Sequence, residues 1–425
     1  MIRLSLLFML TLITLKMAAQ QQYDTFFKDS TLRMDLILAG NDKSMQVYLH
    51  AYSKSEGWAG RRHNLSNQQN LGHGLAVMRD AATGEIIYST VCSALFSEWQ
   101  ATDEAKEVQK AFQQVLLFPF PKKKAVITIE FRGYDGVYHT YLQAPVDPSD
   151  LLIRPKSETT YKKEVIQKNG SSAQCVDIVY VAEGYTEGEQ DKFFADARRL
   201  NADLFAHEPF DKLKNKFNVT AVAAVSSESG TSHPGKGVWK NTLLDAHYDT
   251  FYSSRYLMSN QMIAINDAIA GVPYEQIIVV VNTPVYGGGG IFNSHTMISA
   301  DDKLSNIIVV HEFAHAFAGL ADEYYYPGDV MENFYNKKIE PWEENITTLV
   351  DFDRKWKDML PKDAAIPTKL TENSKLTLGV YEGGGYATLG IYRPMQDCRM
   401  NTNKAKTFCP VCQRALIRVV DYLTK

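Results

Sequence analysis

Ile307-Ile-Val-Val-His311-Glu312-Phe313-Ala314-His315-Ala316-Phe317-Ala318-Gly319-Leu320-Ala321-Asp322-Glu323-Tyr324 is the stretch on which the reading of this chain turns. The apolar run Ile307–Val310 opens a helix, and helical residues four apart share a face with Cβ atoms about 5–6 Å apart. His311 and His315 therefore aim two imidazoles at one point, where both can bind a zinc ion at about 2.0–2.1 Å. Glu312 directly follows the first histidine and can reach a water beside that ion, taking its proton as it attacks a carbonyl. This is the HExxH arrangement of metal-dependent hydrolysis of peptide bonds. The bland alternative is two ordinary surface histidines. The chain holds only ten His, and chance would produce the pattern in about one or two such chains in a hundred.

Catalytic zinc usually has three protein ligands and an open position. Asp322 lies seven residues after His315, and a continuing helix would carry it about 10 Å along the axis. The chain must leave the helix and turn back, and Gly319 can take the left-handed conformation that ends a helix. Asp322 is then the expected third ligand, with Glu323 as its competitor. Zincins with such a Gly turn carry a Met on a tight turn late in the chain. Met400 is the preferred residue for that place, ahead of Met395, and a plain core Met is the other reading.

Upstream, Tyr286-Gly287-Gly288-Gly289-Gly290-Ile291 lacks the Lys-Ser/Thr ending of a phosphate cradle. It reads as an edge strand bordering the cleft. Gly288, Gly289 and Gly290 would let a substrate backbone approach and add as a strand; a flexible loop is the alternative. His295 could assist, but reads more simply as a loop His. The five Cys are Cys92, Cys175, Cys398, Cys409 and Cys412. Cys409-Pro-Val-Cys412 has a spacing seen in redox and zinc sites, but no second CxxC completes a zinc ribbon. A structural role is favoured, with connectivity open.

Around this site, Val176–Ala182, Phe217–Val225 and Gln276–Asn282 read as apolar strands, with helices over Glu187–His207 and Gln261–Ala270. Alternating strands and helices indicate an α/β catalytic domain, which the HExxH helix marks as zincin-like. Before it, Leu32–Leu38, Met45–Tyr52, Ala76–Met78, Ile86–Val91, Ala125–Arg132 and Val137–Gln143 read as strands of a β-sandwich. One helix-like stretch, Glu98–Gln114, interrupts them. Trp58 and Trp99 are read as core. The connector Pro145–Pro155 places the domain division near 150, giving an accessory domain over 21–150 and the catalytic domain over 151–425. Residues 1–20, with Arg3 before the apolar run Leu4–Leu15 and then small residues, read as a secretory signal peptide rather than a buried helix. The expected location is secreted or periplasmic, with no stable membrane insertion after signal removal. The 425-residue chain is 45% hydrophobic and 22% charged with net charge −4, which gives ample core and no basic surface for nucleic acid.

The segments Val176–Tyr185, Tyr286–Ile291, His311–Tyr324 and Tyr392–Met400, with Leu95-Phe-Ser-Glu98-Trp99-Gln and Phe118-Pro-Phe-Pro-Lys122 in the first half, resemble the IgA-type metallopeptidases of peptidase family M64. The resemblance runs over nearly all of the chain after the signal and is carried mainly by the His311–Tyr324 string. It implies an exported zinc endopeptidase acting on protein or glycoprotein substrates, with His311, Glu312 and His315 in the roles derived above and the first half as an accessory β domain. Ala314 and Ala318 stand where related sequences often have Gly. The alternative function is a secreted or cell-surface binding module with a degenerate zinc site.

Overall fold

The computed structural model describes residues 22–66, 72–328, 331–371 and 374–425; the export signal read over residues 1–20 lies outside them. The first half is a β domain of two four-stranded sheets. One sheet has the order β5-β1-β2-β8, built from β1 (Phe27–Gly40), β2 (Met45–Glu56), β5 (Lys110–Pro121) and β8 (Arg154–Pro155). The other has the order β4-β3-β6-β7, from β3 (Gly74–Asp80), β4 (Ile86–Cys92), β6 (Ala125–Arg132) and β7 (Tyr138–Val146). Alternation along β1 puts Leu32, Met34, Leu36 and Leu38 in one core with Met78, Phe118, Ile127 and Ile129. Trp58 and Trp99 are buried in it, as read from the sequence.

One expectation fails. Glu98–Gln114 is not a helix: short helices at Leu95–Trp99 and Glu104–Glu107 are followed by β5, which starts at Lys110. The polar run imitates an exposed helix, but Phe112 and Val115 are buried, and β5 pairs with β1 from Gly40↔Lys110 to Phe27↔Pro121. Long-range pairing overrides the local pattern.

The second half is built on a six-stranded sheet of order β13-β14-β12-β10-β11-β9. Its parallel centre comprises β10 (Val176–Glu183), β11 (Phe217–Ala223), β12 (Gln276–Val281) and β14 (His295–Ser299). All eight residues of β10 are buried, which is why it reads as a continuous apolar run. Antiparallel edges are added by β9 (Lys162–Gln167) and β13 (Gly288–Ile291). The helices Gln190–Leu204 and Ser305–Ala318 pack on this sheet. A hairpin of β15 (Tyr381–Gly384) and β16 (Ala387–Arg393) precedes the last helix, Pro410–Thr424. The protein is thus an N-terminal β domain followed by a sheet-rich α/β domain.

The two halves share one apolar core. The face of β1 turned away from the sandwich core carries Arg33 and Asp35, both buried. Arg33 Nε lies 2.6 Å from Asp35 Oδ1, and Nη1 reaches Asp267 Oδ1 at 2.5 Å on helix Met262–Ala268 of the second half. Nη2 donates to the Ile263 carbonyl at 3.2 Å. Arg33→Ala strands Asp35 as a buried charge and is expected to destabilise the protein by about 3–5 kcal/mol, read as a lowered urea midpoint. The double replacement Arg33→Met/Asp35→Leu should lose far less. Equal losses in the two variants would sink the ion-pair account.

Candidate active site

Helix Ser305–Ala318 is apolar nearly all round, because Ile308, Val309, Val310, Phe313, Ala314, Phe317 and Ala318 are all buried. Only the face with His311, Glu312 and His315 opens on a cleft. The helix ends at Gly319, whose φ is +60°. A Cβ there would sit 2.3 Å from the Trp342 ring, so both the backbone conformation and the space require glycine. The Gly319 N–H donates to the His315 carbonyl at 2.9 Å.

Residues 320–324 then run back past the helix, clamped on several sides. Asn345 brackets Ala321 with two bonds of 2.8 Å, from Ala321 N–H to Oδ1 and from Nδ2 to the Ala321 carbonyl. The Glu323 N–H donates to the Met400 carbonyl at 2.8 Å, and the Gly385 N–H to the Asp322 carbonyl at 2.9 Å. This path sends the Asp322 side chain to the histidines. Its Oδ1 lies 3.1 Å from His311 Nε2 and 3.4 Å from His315 Nε2, and the two Nε2 atoms are 3.0 Å apart. Glu323 faces away, toward Cys409 and Cys412.

The far side of each imidazole fixes its tautomer. His311 Nδ1 lies 3.0 Å from the Arg399 carbonyl and His315 Nδ1 lies 2.5 Å from the Leu320 carbonyl. A carbonyl only accepts, so Nδ1 carries a proton in each ring, which leaves Nε2 as the nitrogen available to a metal. Asp322 Oδ2 accepts from the Tyr386 hydroxyl at 2.7 Å, while its buried Oδ1 has no hydrogen-bond partner. Three ligand-type atoms therefore converge on one point. Ligands about 2.0–2.1 Å from a tetrahedral ion lie about 3.3–3.4 Å apart, close to the spacings here. The residues present fit a small divalent cation such as zinc.

The electrostatics point the same way. Burial opposes ionisation of Asp322, but the two imidazoles outweigh it and hold the carboxyl well below its usual range. Burial also works against a charged His315, yet the Asp322 carboxylate raises that ring to about 9. The site favours positive charge among its donors. Burial pushes the Glu312 carboxyl up, against the pull of the two histidines.

The surrounding cleft has a volume of about 1420 Å³ and receives residues from both halves of the chain. Glu98 enters it from the β domain, where the Tyr256 hydroxyl donates to Oε2. Burial pushes Glu98 up to about 7. Tyr324, Tyr386 and Arg255 also line the cleft. None of these was singled out as a site residue from the sequence. Glu98 and Tyr324 do lie inside the strings that carried the family resemblance, whereas Tyr386 and Arg255 have no spacing signal.

Gly288, Gly289 and Gly290 form the edge strand β13 along the cleft. Their smallness has a packing cause. A Cβ on Gly290 would meet the Glu312 carbonyl oxygen at 2.2 Å, and one on Gly289 would meet Met258 Sδ at 2.4 Å. Part of the outer edge is already taken, since the Leu257 N–H donates to the Gly288 carbonyl at 3.4 Å. His295 is not on a loop: it sits buried in β14, where burial lowers it to about 4. Met400 is fully buried and Met395 nearly so.

The family profile described as IgA Peptidase M64 matches residues 165–377 and 369–420, and that described as Peptidase M64 N-terminus matches 22–143. The chain belongs to the M64 peptidase family. This M64 chain is accordingly a hydrolase of the peptidase class, with protein or peptide substrates. No curated protein matches it. Among its described residues no helix is long and apolar enough to cross a membrane.

Gly290→Ala should push the helix off β13, lower peptidase activity and destabilise the fold by about 1–3 kcal/mol. Gly288→Ala, whose nearest atoms would lie at 3.0–3.1 Å, should be milder. Thermal unfolding and steady-state kinetics check both, and a Gly290→Ala protein with unaltered stability and rate would contradict the close approach.

Proposed function

We propose that the protein is an exported zinc-dependent endopeptidase, with His311, His315 and Asp322 as metal ligands and Glu312 as general base. The observation that carries this reading is the convergence of three ligand-type atoms, two imidazole Nε2 and one carboxylate oxygen, within 3.0–3.4 Å of one another. A bound zinc ion would polarise the scissile carbonyl and make a nearby water more acidic. The protein's own residues supply the rest. Glu312 accepts the proton of the attacking water and returns it to the leaving amine. The Arg399 and Leu320 carbonyls keep both imidazoles in the ligand tautomer, and Tyr386 orients Asp322 through its second oxygen.

The open cleft, lined from both halves, suits an extended polypeptide passing through rather than a chain end held in a closed pocket, which favours endopeptidase action. Gly288, Gly289 and Gly290 lie where a substrate backbone would run. With Gly288 partly engaged by Leu257, Gly290 offers the better pairing position. Export rests on the first twenty residues alone, and glycoprotein substrates rest on the resemblance.

Glu312→Gln should keep its zinc and lose about 10²–10⁴ in kcat/KM, measured on a broad peptide library. Bound zinc with no chelator-sensitive cleavage in the unaltered protein would instead favour a binding module. Chelation should abolish cleavage and added zinc restore it. Tyr386→Phe, which frees Asp322 Oδ2, should weaken zinc at this site about 10–100-fold with the fold intact; competition against a chromophoric chelator reads this directly, and an unchanged affinity removes Tyr386 from the account.

A further inference from the structure

Behind the catalytic ligands lies a second cluster of donor atoms. Cys398, Cys409, Cys412 and Glu323 offer ligand atoms that all lie within 4.8 Å of one another, and all four residues are buried. Cys398 Sγ and Cys412 Sγ are 3.7 Å apart. Glu323 Oε1 lies 3.1 Å from Cys412 Sγ and 4.0 Å from Cys409 Sγ. Thiolates bound at about 2.3 Å to a tetrahedral zinc stand about 3.7–3.8 Å apart, so the Cys398–Cys412 spacing is that of two ligands on one ion. A disulfide needs about 2.0 Å.

Glu323 supplies an independent observation. It is 0% exposed, and its Oε2 has no hydrogen-bond partner. Asn345 donates to Oε1 at 3.0 Å, and no Lys, Arg or His within ion-pair distance of its carboxylate is found among the described residues. A fully buried carboxyl oxygen without a partner is unfavourable, and a disulfide between any two of the cysteines would leave Oε2 in that state. A divalent ion would give it a partner.

The backbone is arranged for thiolates as well. The Cys409 N–H points at Cys398 Sγ at 3.3 Å, and the Cys412 N–H at Cys409 Sγ at 3.5 Å. Cys409 caps the fifteen-residue helix Pro410–Thr424, whose N-terminal dipole favours negative charge on both sulfurs of the Cys409-Pro-Val-Cys412 turn.

We propose that Cys398, Cys409, Cys412 and Glu323 bind a structural zinc ion, separate from the catalytic centre. On binding, the thiol protons are released to solvent and the ion takes four protein ligands with no open position, as structural zinc sites do. Its place in the chain gives it a purpose. Glu323 adjoins Asp322, and Cys398 adjoins Arg399, whose carbonyl holds His311. The ion ties together the two segments that position the catalytic ligands.

This site does not depend on the catalytic reading, and the test keeps the two apart. The full chain, purified without chelators, is analysed for zinc by mass spectrometry beside a His311→Ala/His315→Ala variant. The expected contents are two ions per chain and one. A count of one in both proteins would mean that the catalytic reading fails and this one stands. No zinc in the histidine variant overturns the structural site. So does a disulfide among the three cysteines in non-reducing peptide maps. Cobalt loaded into the histidine variant should show thiolate-to-metal charge-transfer absorption, which Cys412→Ser diminishes. Should Cys412→Ser fail to fold, alkylation of the histidine variant decides. The three thiols should resist the reagent until the metal is chelated, and equal reactivity before and after chelation refutes the proposal.

Discussion

A helix can bring two imidazoles to one point but cannot supply the third donor, and the whole site depends on how the chain turns back after Gly319. That turn exists because residue 319 has no side chain. Its φ is +60°, and Trp342 fills the space where a Cβ would project. The returning segment is then held by Asn345, by the Met400 carbonyl and by the Gly385 N–H, with no regular sheet to support it. Neighbouring side chains on a non-helical backbone point to opposite sides. Asp322 consequently meets the histidines and Glu323 meets the cysteines. One reversal feeds two clusters of donors.

The charge balance around that reversal favours positive charge among the donors. Two imidazole Nε2 atoms and a carboxylate oxygen face each other at 3.0–3.4 Å, a set that a positive charge between them stabilises. Each imidazole is held in this orientation by a backbone carbonyl rather than by another titratable group. The orientation is therefore part of the fold and does not have to be created when an ion arrives. Glu312 and Glu98 add two half-buried carboxyls that desolvation pushes up.

The N-terminal β domain is integral to this centre. It shares the apolar core of the peptidase domain, sends Arg33 to Asp267, and places Glu98 in the cleft against Tyr256. The segment that matches the family's N-terminal profile, residues 22–143, thus contributes part of the cleft wall.

What the amino-acid sequence alone determined is local. The spacing of His311, Glu312 and His315, the helix they sit on, the need for a break at Gly319 and the apolar strand Val176–Ala182 all follow from local pattern over a few residues. The two-part order of β strands and then alternating strands and helices was legible for the same reason. Where a segment's partner lay far away, local pattern misled or fell silent: Glu98–Gln114 looked helical until β1 claimed its second half as a strand, and β9 hid in a polar stretch. Which of Asp322 and Glu323 faces the histidines turned on side-chain direction along an irregular return path, which no spacing encodes. Glu323 could join Cys398, Cys409 and Cys412 only through contacts spanning about 75 to 89 residues of chain. Tertiary structure decided these matters because donor atoms converge in space through the packing of distant segments, and sequence separation carries no record of it.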